Sequence, residues 1–356
     1  MHKRLLFLLL AFAATTAGAD PPAGTFSIVA YDSLTGEVGV AVQSRVFGVG
    51  PRVAWVKGGV GAIATQSQSN ESFGPQGLRL MESGLSAQET LDWLLAHDPG
   101  RDNRQVGVVD AHGVVANWTG SGCLDWAGHS GGVGFTCQGN ILASDEVVPA
   151  MVDAFLETEG EELAARLIAA LQAGQAAGGD SRGQQSAAIL VGRVHPDYPE
   201  YTYRYVDIRV DDHARPIDEL ERLYAMYEAQ GLVQAHMRFA AQGDSASAAR
   251  ERDRVGRALV RALANRNADA GTLNGLAWFT ATHDIYLPQA LEAAERAVAL
   301  EPEDSNIIDT LAEVYFRLGR TKQAIEAGTR ALELSPDSDY LKDQLARFKG
   351  GGQRAP

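Results

Sequence analysis

The chain has 356 residues and a formal net charge of −14, long enough for two domains. That charge argues against a nucleic-acid partner, because phosphate binding needs clustered Lys and Arg; solubility accounts for it. His2, Lys3 and Arg4 precede an apolar run, Leu5 to Ala14, and a small-x-small site at Ala17-Gly18-Ala19. This pattern predicts a secretory signal peptide over 1–19, with Asp20 next in an exported, periplasmic or extracellular protein. The run is too short for a membrane span, which needs about 20 apolar residues, and no other such run follows.

Strands are predicted first, at Thr25–Tyr31 and Glu37–Gln43, joined by the turn Ser33-Leu34-Thr35-Gly36. A second pair, Val53–Val56 and Val60–Thr65, flanks Gly58-Gly59. The period then becomes helical over Gly74–Ser83 and Ser86–His97, with Ser86 and Glu89 forming a capping box. Strands return at Gln105–Asp110, Val114–Thr119 and in "GFTCQGNIL". Helices follow at Glu146–Glu157 and Glu161–Ala173, then strands at Ser186–Gly192 and Tyr201–Val210. Stacked antiparallel sheets with outer helices bury both strand faces, so the fold class is α+β, a four-layer αββα sandwich over about 25–211.

From Pro216 the pattern is helical and Ala-rich. Ala290 and Ala324, Ala297 and Ala331, and Pro302 and Pro336 each stand 34 residues apart. With Leu-Ala, an aromatic and a closing Pro, this resembles tetratricopeptide repeats, clearest at 272–338 within a helical domain at 216–349. The first unit has one extra residue around His283–Tyr286 and lacks the usual Gly there. Helices at Ile217–Gln230 and Ala246–Ala264 would begin the same array. Such repeats imply a protein partner or simple stacking.

No HExxH, P-loop or zinc spacing occurs, so neither metal nor cofactor is expected. "GHSGG", Gly128–Gly132, matches a nucleophile elbow only by letter. Cys123 and Cys137 either close a disulfide loop or stay free thiols. Thr25 is either an ordinary strand-initial residue or a nucleophile whose own α-amine serves as base once freed.

"TFSIVAYD", "GVAVQSR", "GVGAIATQ", "GPQGL", "RQVGVVD", "CLDWAGH", "QGNIL" and "GDSRGQQSAA" recur in order from Thr25 to about Asp211. They resemble the family known as domain of unknown function 1028, which implies an N-terminal-nucleophile (Ntn) hydrolase-like fold. Proteasome-type Ntn subunits also begin Gly-Thr and carry an "AVDSR"-like strand end. "AVQSR" is similar, with Gln43 in place of the acidic residue, and Lys57 falls where those enzymes carry a lysine that tunes the threonine. The resemblance thus implies Thr25 as nucleophile and Lys57 as its modulator.

Other residues carry paired readings. Asn140 is an oxyanion donor or a turn residue. Thr65, Gln66 and Asn70 line a cleft or satisfy a loop. Arg182 holds a substrate carboxylate or pairs locally with Asp180. Gln43 and Arg45 complete the candidate substrate-binding set. His129 and His195 are expected to be structural or surface residues, and Trp126 a core residue rather than a ligand platform. Signal cleavage after Ala19 would leave Asp20–Gly24 ahead of Thr25. The Gly24–Thr25 bond is then cut autocatalytically, cut by a signal peptidase, or retained. Two functions remain: an exported hydrolase of a small amide or peptide, or a non-catalytic ligand-binding module that recruits a protein through its repeats. Either is compatible with a homo-oligomer.

Overall fold

The computed structural model describes residues 24–194, 202–241, 243–265 and 268–350. The expected signal peptide, Asp20–Ala23, His195 and Tyr201 lie outside the described residues. Among the described residues, ten strands and five α-helices build the first part. In chain order they are β1 (Thr25–Tyr31), β2 (Val38–Ser44), the single-turn α1 (Gly50–Val53), β3 (Ala54–Lys57) and β4 (Gly61–Ser67). The helices α2 (Phe73–Glu82) and α3 (Ala87–Ala96) follow, then β5 (Arg104–Asp110), β6 (Val115–Thr119), β7 (Gly128–Gly132) and β8 (Phe135–Asn140). Two more helices, α4 (Val147–Glu157) and α5 (Leu163–Ala176), precede β9 (Ser186–Val194) and β10 (Thr202–Val210).

The strands form an antiparallel six-stranded sheet, β10-β9-β2-β1-β8-β7, and an antiparallel four-stranded sheet, β3-β4-β5-β6. Alternation of side chains along each strand sends one set into a helix layer and the other between the sheets. On β1, Phe26, Ile28 and Ala30 join Leu163, Leu167 and Leu171 of α5, whereas Val29 joins Val38 and Val40 of β2 and Ala62 and Ala64 of β4. Ile63 of β4 and Val106 of β5 meet Leu91 and Leu94 of α3. The result is the expected four-layer αββα sandwich. Ser86 and Glu89 make the expected capping box at α3. Strand β7 is absent from the sequence expectation: Gly-rich "GHSGG" has no strand propensity, and pairing with β8 recruits it as an edge strand.

Seven helices follow among the described residues: α6 (Pro216–Ala241), α7 (Ser245–Ala264), α8 (Ala270–Thr282), α9 (Leu287–Leu300), α10 (Ser305–Arg317), α11 (Thr321–Leu334) and α12 (Asp339–Gly350). Ala290, Ala297, Ala324 and Ala331 are fully buried between helices, as their spacing implies. The extra residue of the first unit is absorbed in the α8–α9 turn. Asp284 there adopts a left-handed φ of 55°, as Gly319 does (φ 74°) in the α10–α11 turn; aspartate tolerates that region better than most residues. Helix α6 packs on α5, β9 and β10. Arg254, Arg257 and Arg261 of α7 pair with Glu161 and Glu162, just before α5. Among the described residues no helix is long and apolar enough to cross a membrane.

Candidate active site

Antiparallel pairing sets Thr25 opposite Ser44 on β2 and opposite Asn140 on β8. All three side chains point between the sheets, and none is more than 2% exposed. The Thr25 hydroxyl oxygen lies 2.6 Å from the carbonyl oxygen of Gly24 and 3.0 Å from Ser44 Oγ. Its single proton serves one of them at a time. Ser44 Oγ in turn donates to the same Gly24 carbonyl, and Arg182 Nη2 donates to it at 2.9 Å. Three donors therefore converge on the carbonyl oxygen that precedes the threonine.

Asp180 holds that cluster together. Its Oδ1 accepts the backbone N–H and Nε of Arg182, both at 3.0 Å. Its Oδ2 accepts Arg182 Nη2 at 2.7 Å and the backbone N–H of Arg45 at 3.0 Å. Arg182 is thus positioned by a buried carboxylate, with one edge turned to Gly24.

Behind Thr25 lies an uncharged amide network. Gln138 Nε2 donates to Ser27 Oγ (2.6 Å), which donates to Gln66 Oε1 (2.6 Å). Gln66 Nε2 donates to Gln105 Oε1 (2.8 Å) and to the Thr25 carbonyl (3.3 Å). Gln105 Nε2 donates to Gly139 O (2.7 Å) and Thr119 Oγ1 (3.0 Å), and Asn140 Nδ2 donates to Gln105 Oε1 (3.0 Å). Gly107 makes room for the chain: a Cβ there would fall 2.4 Å from Gln138 Oε1. Two acceptors of the network, Asn140 Oδ1 and Gln138 Oε1, are buried without a hydrogen-bond partner. At the outer end Thr119 Oγ1 meets His129 Nδ1 at 2.8 Å, and partial burial lowers the His129 pKa.

Thr25, Gln66, Asn140, Asp180, Arg182 and the Arg45 backbone are therefore brought together, whereas several other expected members lie elsewhere. Lys57 is not near Thr25. It ends β3 opposite Gly61 and pairs with Glu82 of α2. Gln66, which touches Thr25, is five residues further along β4, about 17 Å at a strand's rise per residue. Sequence distance from the threonine carried no information about which end of β3 faces it. Gln43 points into the helix layer with Ala41, reaching only Gly183 O at 3.5 Å. Thr65 faces α2 and bonds Asn70 O at 3.4 Å. Asn70 shapes the turn into α2, its Oδ1 accepting from Ser72 N and Oγ. The Arg45 side chain bonds Gln184 O in an exposed position. Arg182 is engaged with Asp180 and Gly24 rather than open to a carboxylate.

Cys123 and Cys137 are free. Cys137 is on the helix-facing side of β8 within the core, where burial pushes its thiol far up. Cys123 donates to Arg104 O from the loop after β6. Proximity in sequence cannot reveal that the two occupy different layers. Ser44 was missed, although counting back from the predicted hairpin turn pairs it with Thr25. Gln105 and Gln138 carry no local signal, because only the stacking of the two sheets brings them together. Among the described residues no group of three His, Cys, Asp or Glu is placed to hold a metal.

A family model described as a family of unknown function, DUF1028, matches residues 25–220. The crystal structure of the DUF1028 protein SPO2555 from Silicibacter pomeroyi is 33% identical. It covers 56% of this chain and 84% of its own, with a TM-score of 0.51. The second tetratricopeptide domain of human RPAP3, solved with an HSP70 peptide, is 16% identical over 37% of this chain and 98% of its own, at a TM-score of 0.29. The Sgt2 tetratricopeptide domain from Aspergillus fumigatus is 22% identical over 35% and 78%, at 0.25. No curated protein matches the chain.

Proposed function

The chain belongs to the DUF1028 family, and we propose that it is an exported Ntn-type amide hydrolase whose first substrate is its own Gly24–Thr25 bond. The observation that carries this reading is the Thr25 hydroxyl held 2.6 Å from a Gly24 carbonyl oxygen that also receives Ser44 and Arg182. A hydroxyl held against a carbonyl whose oxygen already receives two further donors has the positioning and the charge stabilisation that acyl transfer draws on.

In the first step Thr25 Oγ1 attacks the Gly24 carbonyl carbon. Arg182 stabilises the negative charge that builds on the carbonyl oxygen during attack, and the Thr25 proton, relayed through the Ser44 hydroxyl, then neutralises that oxygen. Collapse returns the proton to the Thr25 nitrogen and breaks the C–N bond, leaving a glycyl ester on Oγ1 and a free α-amine. Water then hydrolyses the ester and releases the segment ending at Gly24. The amine, with a free pKa near 8, becomes the base for the next amide or peptide. Asn140, alongside Thr25 with a buried unpartnered Oδ1, serves as a contact for the incoming substrate. The basic-apolar-small pattern of residues 1–19 supports export, and the Ala-rich helical array supports a protein partner.

Intact-mass measurement of the chain recovered from an exporting host tests the reading. A product beginning at Thr25, lost in Thr25→Ala, is the expected result. Full retention of Asp20–Gly24 would favour a non-catalytic binding module instead.

A further inference from the structure

The residue in front of the nucleophile is a glycine whose missing side chain would enter Asp180. A Cβ on Gly24 would fall 2.7 Å from Asp180 Oδ1 and 2.9 Å from both Cγ and Oδ2, closer than unbonded atoms approach. Asp180 is only 1% exposed. Four N–H donors from Arg182 and the Arg45 backbone fix its carboxylate on both oxygens. Charge-assisted hydrogen bonds of this kind set position as well as energy. The α-carbon beside the reacting carbonyl therefore has a rigid wall on the side where an L side chain projects.

This bears on substrate choice, and the step rests on the hydrolase reading above. Self-cleavage converts the residue-24 carbonyl into an ester of Thr25 Oγ1. An amide substrate acylates the same oxygen: the bond from Oγ1 to the acyl carbon forms, and the C–N bond breaks with the proton going to the leaving amine. Its acyl carbon then occupies the place of the Gly24 carbonyl carbon, and its α-carbon meets the same wall. We infer that the acyl subsite is selective for glycyl-type groups: it takes amides of an unsubstituted –CH2–CO– acyl unit and rejects acyl units with an L-α-substituent. Asp180 is the specificity-determining residue, acting by position against the α-carbon.

Two measurements test this. Self-processed wild-type chain is given acetyl-glycyl 4-nitroanilide and acetyl-L-alanyl 4-nitroanilide, and kcat/KM is compared. The glycyl compound is expected to lead by about 100-fold, near the upper end of discrimination by one buried methyl-sized group. In parallel, cleavage at residue 24 is followed by mass in the full chain and in Gly24→Ala, which should cleave at least 10-fold more slowly. Equal turnover of both anilides, or Gly24→Ala cleavage at the wild-type rate, overturns the glycyl subsite and leaves the hydrolase intact. Self-cleavage with neither anilide turned over overturns the glycyl subsite and leaves the self-cleaving threonine of the hydrolase reading standing. An uncleaved wild-type chain that hydrolyses neither anilide overturns both. The anilide comparison uses only the wild-type chain, so it stands even where Gly24→Ala does not fold.

Discussion

The layer between the two sheets is built from the same strands at both ends, yet its ends are chemically opposite. Toward the β1–β2 turn, Val29, Val38, Val40, Val109 and Leu190 close into an aliphatic core. Toward the start of β1, the same layer holds Thr25, Ser27, Ser44, Gln66, Gln105, Gln138 and Asn140, all buried. Apolar burial stabilises the first end at roughly 25 cal/mol per Å². Amides and hydroxyls at the second end lose water, a cost offset by hydrogen bonds to one another and to backbone carbonyls. The comparison teaches a division of labour: one end holds the sheets together, and the other fixes the Thr25 hydroxyl within an uncharged network.

Substitutions can break that comparison, the largest effect being expected at Thr25. Thr25→Ala should abolish self-cleavage and any hydrolysis, a loss of at least about 10³-fold or roughly 4 kcal/mol in the barrier, with the fold retained by circular dichroism. At the aliphatic end, Leu190→Ala should lower unfolding free energy by about 2–5 kcal/mol in urea titration while cleavage at residue 24 survives. Equal damage to cleavage would erase the division.

Glu37 precedes Val38 but shares the helix-facing side of β2 with Gly39, and it probes stability from outside the inter-sheet layer. Burial raises its pKa from 4.5 to about 7, against the opposing pull of Arg193 and Arg254. The folded state thus holds a proton that the unfolded state has released between those values. Stability from this group is therefore fullest below about pH 4.5, falls as pH rises, and levels off above about 7. The difference is about 3 kcal/mol at most. Glu37→Gln should flatten that slope in urea midpoints taken from pH 5 to 8; an unchanged slope would assign it to other groups.

Ser44→Ala removes one donor to the Gly24 carbonyl and the proton path through its hydroxyl. Self-cleavage should slow by about 10²-fold, read as the rate of mass conversion. Lys57→Ala should do least. Its pair with Glu82 is partly exposed, so stability should change by less than about 1 kcal/mol. Cleavage should be unaltered, and a strong loss would return Lys57 to the site.

Much of the fold was legible in the sequence because its signals are local. The β1 boundaries, the capping box at Ser86 and the 34-residue spacing of buried alanines depend on neighbours within a few turns of chain. The site was half legible. Thr25 could be singled out, and Asn140, Gln66, Asp180 and Arg182 do gather around it. Lys57, Gln43, Thr65 and the cysteine pair do not, since each requires knowing which face or end of a strand looks toward Thr25.

The amino-acid order by itself determined where most strands and helices form, β7 excepted, and that a Gly-Thr pair opens β1, since turn chemistry and periodicity act over short stretches of chain. Only the tertiary structure decided that Ser44 and Asn140 flank Thr25, that Arg182 reaches the Gly24 carbonyl, and that Asp180 walls the Gly24 α-carbon. Those contacts join residues 19 to 158 positions apart, and they exist only once two sheets have stacked and a distant loop has folded back over the end of β1.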